Sequence, residues 1–536
     1  MTPDVAPRRS ETTPVRTTAS NERATQRPRP GSGAFDLLLI VLLACALRIP
    51  TMHLSVAGDP DESSFILAGR ELTQGHLPYV TYWDHKPLGS TVLIAAAMTA
   101  FGQSVVAVRA LGLASVIATG WLLYFSARRV APGRVAPLAA GLLYVAFSDR
   151  LVGASTMTEV LLAPYTACGV LLLLTLPERR GTASLAATFA AAGLSFGIAT
   201  WIKYVPSIPA TLAGIVALIR LLRRPEGGLR RTIGFGALFV LGLLFATLVS
   251  ICVYWLRGDL DVFLDANISF AGRYTGGMQD DPRGAIFFAI SQSTRVAGEI
   301  WPLLLLALGT IFPTGRAYLF REGTSYAGAL LFAWTAGETL SVAAQTKFYV
   351  SQYPLLLPPL SLLSAIAIGA YARNLARPRH VERVAALTTL LVAIGPCVAT
   401  LRETVAEVSH GDVPRQIAKL IDAEAHPGDA TFVANYEPII YFLTHAPLPT
   451  RYAYSAALIG AHEAVIPIDA HAEIRRILDT RPKFIVLNKS WRDDPVYWDP
   501  DMMLLLEQTV SRGYVQRADW KLAASKGTVA LFVRSD

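Results

Sequence analysis

Residues 59 to 87 hold a dense run of reactive side chains: Asp59, Asp61 and Glu62, then Tyr79, Tyr82, Trp83, Asp84, His85 and Lys86. Two kinds of work suit the acidic trio. Asp59 or Asp61 can cap the helix-like stretch Ser63 to Thr73, because acidic groups are favoured at the positive end of a helix. A carboxylate held at a membrane surface between partly dehydrated walls can also serve as a general base. A metal site on His76, Asp84 and His85 with the acidic cluster would need regular ligand spacing, which is missing, so no metal or other cofactor is expected. HExxH is absent, since His462-Glu463 has no second histidine at helical spacing. Neither a Walker A run nor a dinucleotide fingerprint occurs, which argues against ATP or a nucleotide sugar as direct substrate.

The elements that position these groups follow from composition. Charged residues make up 16% of the 536, against roughly 25% in soluble globular chains, and the mean hydropathy is +0.41. These values nearly exclude a water-soluble enzyme. The net charge of +8 would suggest a nucleic-acid partner if the excess formed one stripe. Instead the arginines fall in short clusters between apolar runs, as in cytoplasmic loops, so the partner is a bilayer and not nucleic acid. The clusters are Arg128, Arg129 and Arg134; Arg179 and Arg180; Arg220, Arg223, Arg224, Arg230 and Arg231; Arg316 and Arg321; and Arg373, Arg377, Arg379 and Arg383.

Between consecutive clusters there is room for one span out and one back, at about 20 residues each. About eleven spans result, near 35–53, 104–126, 135–148, 159–176, 183–201, 204–221, 232–256, 298–313, 324–342, 352–371 and 384–400. The first is read as an anchor and not a removed signal peptide. The run Leu88 to Phe101 is short for a span and would put Arg128 and Arg129 on the wrong side, so it is expected to lie along the outer interface. Residues 1–33, rich in Pro, Thr and Arg, are expected to be a disordered cytoplasmic tail. The four cysteines lie in apolar runs and read as small core residues.

Domain organisation follows. Residues 34–400 form the membrane domain, with a first external loop at about 54–103 and another from Arg257 to about Gly298. Residues 401–536 lie outside the cytoplasm and alternate helical patterns (Val413 to Glu424, Ala470 to Leu478, Met502 to Arg512) with β-rich runs (Thr431 to Ala434, Phe484 to Leu487, Thr528 to Val533), an α/β domain. Its Tyr436, Glu437, Tyr441, Tyr452, Trp491, Asp493, Asp494 and Trp498 suit a glycan path, with most expected to be packing residues and none assigned as a site.

The first loop also resembles a known family. Asp61-Glu62-Ser63-Ser64-Phe65, Gly75-His76-Leu77-Pro78-Tyr79 and Trp83-Asp84-His85-Lys86-Pro87-Leu88, continuing through Phe101-Gly102 to Arg109, look like the first external loop of the GT-C glycosyltransferases. Nearest in pattern are the lipid A aminoarabinose transferases, the protein O-mannosyltransferases and the rhizobial galacturonosyltransferases. Lys-Pro-Leu stands where many relatives have Lys-Pro-Pro.

The resemblance implies an all-α polytopic membrane domain of GT-C type with an extracytoplasmic α/β domain. It implies inverting transfer of a sugar from a polyprenyl-phosphate donor to a hydroxyl of a cell-envelope glycan or glycolipid. Asp61 would be the base and Glu62 its neighbour or orienter. Lys86, Lys203, Arg273 and Lys347 would meet the donor phosphate, where cations stabilise developing negative charge. Glu159 would orient the acceptor or a lysine, and Tyr82 and Asp84 would join it around the acceptor. The bland readings are a snorkelling Lys203, solvated Lys86 and Arg273, and an interfacial Lys347. Glu299 and Glu338, near or within apolar runs, have no assigned role. Competing functions are a protein O-mannosyltransferase and, in another class, a lipid flippase or transporter, against which no inverted repeat of broken spans is visible.

Overall fold

The computed structural model describes residues 32–131, 133–179, 181–224, 228–270, 272–273, 282–321, 323–460, 466–493, 498–522 and 527–535. The expected tail lies almost wholly outside them. In chain order the helices of the larger domain are α1 (Ser32–Arg48), α2 (Asp61–Thr73), α3 (Gly89–Phe101), α4 (Val105–Val130), α5 (Val135–Ser148), α6 (Thr158–Leu174), α7 (Thr182–Ile202), α8 (Ser207–Leu222), α9 (Leu229–Arg257), α10 (Leu260–Leu264), α11 (Pro282–Leu308), α12 (Pro313–Leu319), α13 (Ser325–Ala344), α14 (Leu357–Leu375) and α15 (Val381–His410).

Each of the eleven expected segments is helical, and they differ in length. Among the described residues, eight helices are long and apolar enough to cross a bilayer, and the bent pair α11 and α12 raises this to nine. Helices α5 and α8 have 14 and 16 residues, so they rise only about 21 and 24 Å against a hydrocarbon core of ~30 Å. By length and apolar composition alone the described helices give eight or nine spans, where the sequence suggests about eleven. The expected span at 298–313 is also shifted. Helix α11 starts at Pro282, a residue suited to a first helical turn, and the apolar Ile286, Phe287 and Phe288 carry it on. It ends at Leu308, where the chain bends by 68° into α12. The loop expected up to Gly298 is correspondingly shorter, and holds α10 and a π-helical turn, Asp265–Ser269. Helix α15 runs past Thr400 to His410, and Gly411 ends it at φ 80°, a conformation glycine adopts without strain. The cysteines are not core residues: Cys252 is exposed on α9 and the other three are half-buried.

After Gly411 come α16 (Val413–Glu424), α17 (Ile439–Leu443), α18 (Ser455–Leu458), α19 (Ala470–Asp479) and α20 (Pro500–Gly513), with β1 (Thr431–Val433), β2 (Phe484–Asn488), β3 (Tyr514–Lys521) and β4 (Thr528–Arg534). The sheet order is β1-β2-β4-β3, with β1 and β2 parallel and the other pairs antiparallel. Ile485 and Leu487 on β2 pack with Ile474, Ile477, Met502 and Leu506 from α19 and α20 as one core. Strand β3 was not expected from the sequence. It is an edge strand whose Arg517, Asp519 and Lys521 break the β-rich signal and discourage pairing with another chain.

Candidate active site

The first loop and the second domain meet over α2. Before it, Gly58 takes φ 101° and lies so close to the loop between α5 and α6 that a Cβ there would stand 2.3 Å from the Val152 carbonyl oxygen. That close approach brings Asp59 towards Glu159 at the start of α6. The Asp59 carboxylate accepts from the Asp61 backbone N–H at 3.0 Å, which ties down the first turn of α2. Asp61 itself sits in that turn, where the helix dipole favours its charge.

Asp61 has a cation beside it. The Lys86 ammonium lies 3.6 Å from its Oδ2 and 4.5 Å from the centre of the Phe65 ring, a cation–π approach. The Lys86 backbone is pinned on both sides: Tyr79 donates from its hydroxyl to the Lys86 carbonyl at 2.6 Å, and Asp84 accepts from the backbone N–H groups of His85 and Lys86 at 2.7 and 3.3 Å. Burial works against the charge on Lys86, yet Asp61, Asp84, Glu159 and Asp59 outweigh it and hold the ammonium above the usual lysine range. Burial raises the Asp84 carboxyl, with Lys86 opposing. It also pushes Asp59 up to about 7, assisted by the charges of Asp61 and Glu159.

Glu159 and Lys203 complete the cluster. Glu159 opens α6, accepts from the Thr158 hydroxyl at 2.8 Å and is ion-paired to the Lys203 ammonium. Lys203 follows the last residue of α7, where a cation is favoured. Helix α3 fixes this end of α7 in place, because Gly89 packs so tightly that a Cβ there would lie 2.6 Å from the Trp201 carbonyl oxygen.

The other expected residues lie around this centre. Glu62 is one residue from Asp61 but points into the domain, where Arg109 Nε donates to its two oxygens at 2.8 and 2.9 Å and the Thr156 N–H donates at 2.6 Å. Tyr82 is buried with its hydroxyl 2.6 Å from Ser64 Oγ, bracing α2. Arg273 pairs with Asp265 at 3.0 Å, on the segment whose Phe270 packs against Trp83 and His85. Lys347 follows α13, between Thr346 and Phe348, both at positive φ, and burial lowers its ammonium. Glu338 accepts from the Trp334 indole at 2.9 Å, and Glu299 from Arg150 at 2.6 Å.

Sequence reasoning missed the contribution of the second domain to this centre. The Tyr454 hydroxyl donates to Asp61 Oδ1 at 2.7 Å, across 393 positions of sequence, and the Ser63 hydroxyl donates to Glu437 at 3.3 Å. A tyrosine in the stretch RYAYSAA carries no spacing signal. The domain is held by deeper contacts: buried Arg70 donates to the carbonyls of Tyr441 and Ala446 at 2.7 and 3.2 Å, and the Trp83 backbone N–H to the Arg451 carbonyl at 2.9 Å. Two clefts of about 500 and 570 Å³ flank this junction and share Thr450 and Arg451.

No family model matches the chain, and no curated protein matches it. Solved structures do. ArnT from Cupriavidus metallidurans bound to undecaprenyl phosphate is 15% identical with a TM-score of 0.62, covering 94% of this chain and 98% of its own; its apo state gives 0.58. The archaeal oligosaccharyltransferase AglB from Archaeoglobus fulgidus, in complex with an inhibitory peptide and a dolichol-phosphate, is 14% identical with a TM-score of 0.51, covering 94% of this chain and 74% of its own. Both have the GT-C fold, and so does this chain, a multi-pass helical membrane domain followed by a small sheet domain.

Proposed function

We propose that the chain is an inverting membrane glycosyltransferase that moves one sugar from a polyprenyl-phosphate donor to a hydroxyl of a cell-envelope glycan or glycolipid. The observation that carries this reading is a carboxylate and an ammonium 3.6 Å apart at the end of α2, within a GT-C fold. Asp61 takes the proton of the acceptor hydroxyl as its oxygen bonds to the anomeric carbon, and the bond from that carbon to the phosphate oxygen breaks. A hydroxyl is a weak nucleophile at neutral pH, and a base within reach is worth roughly 10²- to 10⁴-fold. Lys86 and Lys203 stabilise the departing phosphate, and Glu159 aims Lys203. Tyr82 and Asp84 hold α2 and Lys86 in register as positioning residues. Arg273 and Lys347 are added cations for the donor, Lys347 last because burial works against its charge. In this reading the face carrying the first loop and the sheet domain is extracytoplasmic and the N-terminus cytoplasmic.

The test is mass spectrometry of polyprenyl-phosphate sugars and envelope glycolipids from cells with the wild-type chain, Asp61→Asn or a deletion. One sugar should vanish from one glycan while its carrier-linked donor accumulates in both mutants. Unchanged glycans and carriers, with the variant expressed and inserted, would refute the reading.

A further inference from the structure

The base of a glycosyl transfer needs an acceptor O–H about 2.6 to 3.2 Å from its carboxylate. Asp61 already has one: the Tyr454 phenol donates to Oδ1 at 2.7 Å. We propose that Tyr454 is a stand-in for the acceptor, covering Asp61 against water and turning aside when an acceptor hydroxyl arrives. The inference rests on the glycosyl-transfer reading and adds a specificity device to it, one that favours transfer over hydrolysis.

Three features support a displaceable phenol over a plain structural tether. First, docking of the sheet domain does not depend on it, because the Arg70 bonds and the Trp83 to Arg451 bond lie deeper. Arg70 is 3% exposed, whereas the Asp61 side chain is 32% exposed and Tyr454 is half-buried. Second, Tyr454 belongs to the segment that lines an open cleft. Thr450, Arg451 and Tyr452 border the 570 Å³ cleft against α19 and the residues just before it, Ile468 and Asp469. Tyr454 comes two residues after Tyr452, so the segment that carries the phenol continues directly from the cleft wall. Third, that cleft is lined by charged groups suited to a polar ligand. Arg451 stands on one side, with its guanidinium over the buried Tyr452 ring that packs on Trp83 at 5.5 Å, and Glu473 and Arg476 form the far rim.

Without the phenol, water can take its place on Asp61. Its oxygen then bonds to the anomeric carbon, its proton goes to Asp61, and the polyprenyl phosphate leaves with the electron pair of the broken carbon–oxygen bond. The products are free sugar and polyprenyl phosphate, and nothing else is consumed.

The experiment uses the full chain, purified in detergent, with undecaprenyl-phosphate-linked mannose, galactose, galacturonic acid and aminoarabinose as probes. Free sugar is measured without acceptor, and transfer is measured with an envelope glycolipid extract. Tyr454→Phe should release free sugar about tenfold faster than wild type, the scale of losing one charge-assisted hydrogen bond, while transfer stays within about threefold. Tyr454→Leu should show the same shift in the ratio of hydrolysis to transfer, a ratio that a merely structural tether would not move. Unchanged hydrolysis in both variants overturns the proposal, as does loss of transfer in Tyr454→Phe. A sugar found covalently on wild-type Tyr454 also overturns it, since the phenol would then be a substrate. If wild type transfers from none of the four donors, the glycosyl-transfer reading fails and this proposal with it. If it transfers normally and the hydrolysis ratio does not move, only this proposal fails.

Discussion

Replacing Glu62 with Gln separates architecture from chemistry at the one pair of adjacent carboxylates in the proposed site. Glu62 and Arg109 are each 2% exposed at the side chain, and the Glu62 oxygens take two bonds from Arg109 Nε and one from the Thr156 N–H. The glutamine keeps the size but removes the charge, leaving a guanidinium buried without its counter-ion. Breaking such a pair from one side costs about 3 to 5 kcal/mol, a large part of a typical stability of about 5 to 15 kcal/mol. The expected outcome is a chain that melts on the order of 5 °C or more below wild type, followed by tryptophan fluorescence in detergent. Converting Arg109 to Met in the same chain removes both charges and should recover most of the loss, since a buried pair replaced by neutral groups is often close to neutral in stability. Turnover should recover with stability in the double variant, because Asp61 pairs with Lys86 while Glu62 turns inward to Arg109. A single variant that melts like wild type yet loses more than tenfold in turnover would refute this reasoning and make Glu62 part of the chemistry.

Two further predictions address the neighbours of Asp61. Lys203→Ala should raise the donor KM on the order of tenfold, the scale of one hydrogen bond to a charged group, and leave the acceptor KM unchanged; kinetics that show the reverse remove Lys203 from the phosphate site. Asp59, raised to about 7 from 3.8, binds a proton in the folded chain that the unfolded chain has lost, so between roughly pH 4 and 7 stability falls as pH rises. Asp59→Asn should abolish that fall, measured by denaturation at pH 5 and pH 8; equal pH dependence in variant and wild type would show that another group is responsible.

Much of this was legible because it is local. The first-loop motif placed Asp61 and Lys86 in one segment, and the helical and β-rich patterns after Gly411 found α16, α19, α20, β1, β2 and β4 within a few residues. Charge spacing recovered the segments that form membrane helices. It could not recover their lengths, because an arginine cluster marks the helix starts and ends on one face of the membrane and leaves those on the other face unmarked. Helix α11 therefore starts earlier than expected and α15 ends later. The pairing of Glu62 with Arg109, 47 positions away, and of Lys203 with Glu159, 44 away, depends on how helices pack. Periodicity says nothing about that. Tyr454 is the extreme case: a phenol in an ordinary aromatic stretch gains its meaning only when a second domain folds back over the first loop.

The strengths of the contacts then explain why these residues are arranged as they are. The bonds that support the centre are short and end on backbone or buried partners: Tyr79 on the Lys86 carbonyl at 2.6 Å, Thr156 on Glu62 at 2.6 Å, Arg109 on Glu62 at 2.8 Å. The ion pair that must open, Asp61 to Lys86, is longer at 3.6 Å, whereas the Tyr454 phenol holds Asp61 at 2.7 Å. A site that must exchange a lysine's carboxylate partner for a phosphate works best when that contact is weak and the scaffold around it is stiff. A base can give up a phenol at 2.7 Å because the arriving sugar hydroxyl makes a hydrogen bond of the same kind. Four carboxylates, Asp59, Asp61, Asp84 and Glu159, stand around two lysines here, and an arriving phosphate adds more negative charge. That excess is tolerable only because the phosphate replaces carboxylates as partners of the lysines, and because Asp59 holds a proton near neutral pH. The same positioning that keeps Lys86 charged in a buried loop therefore leaves it free to change partners.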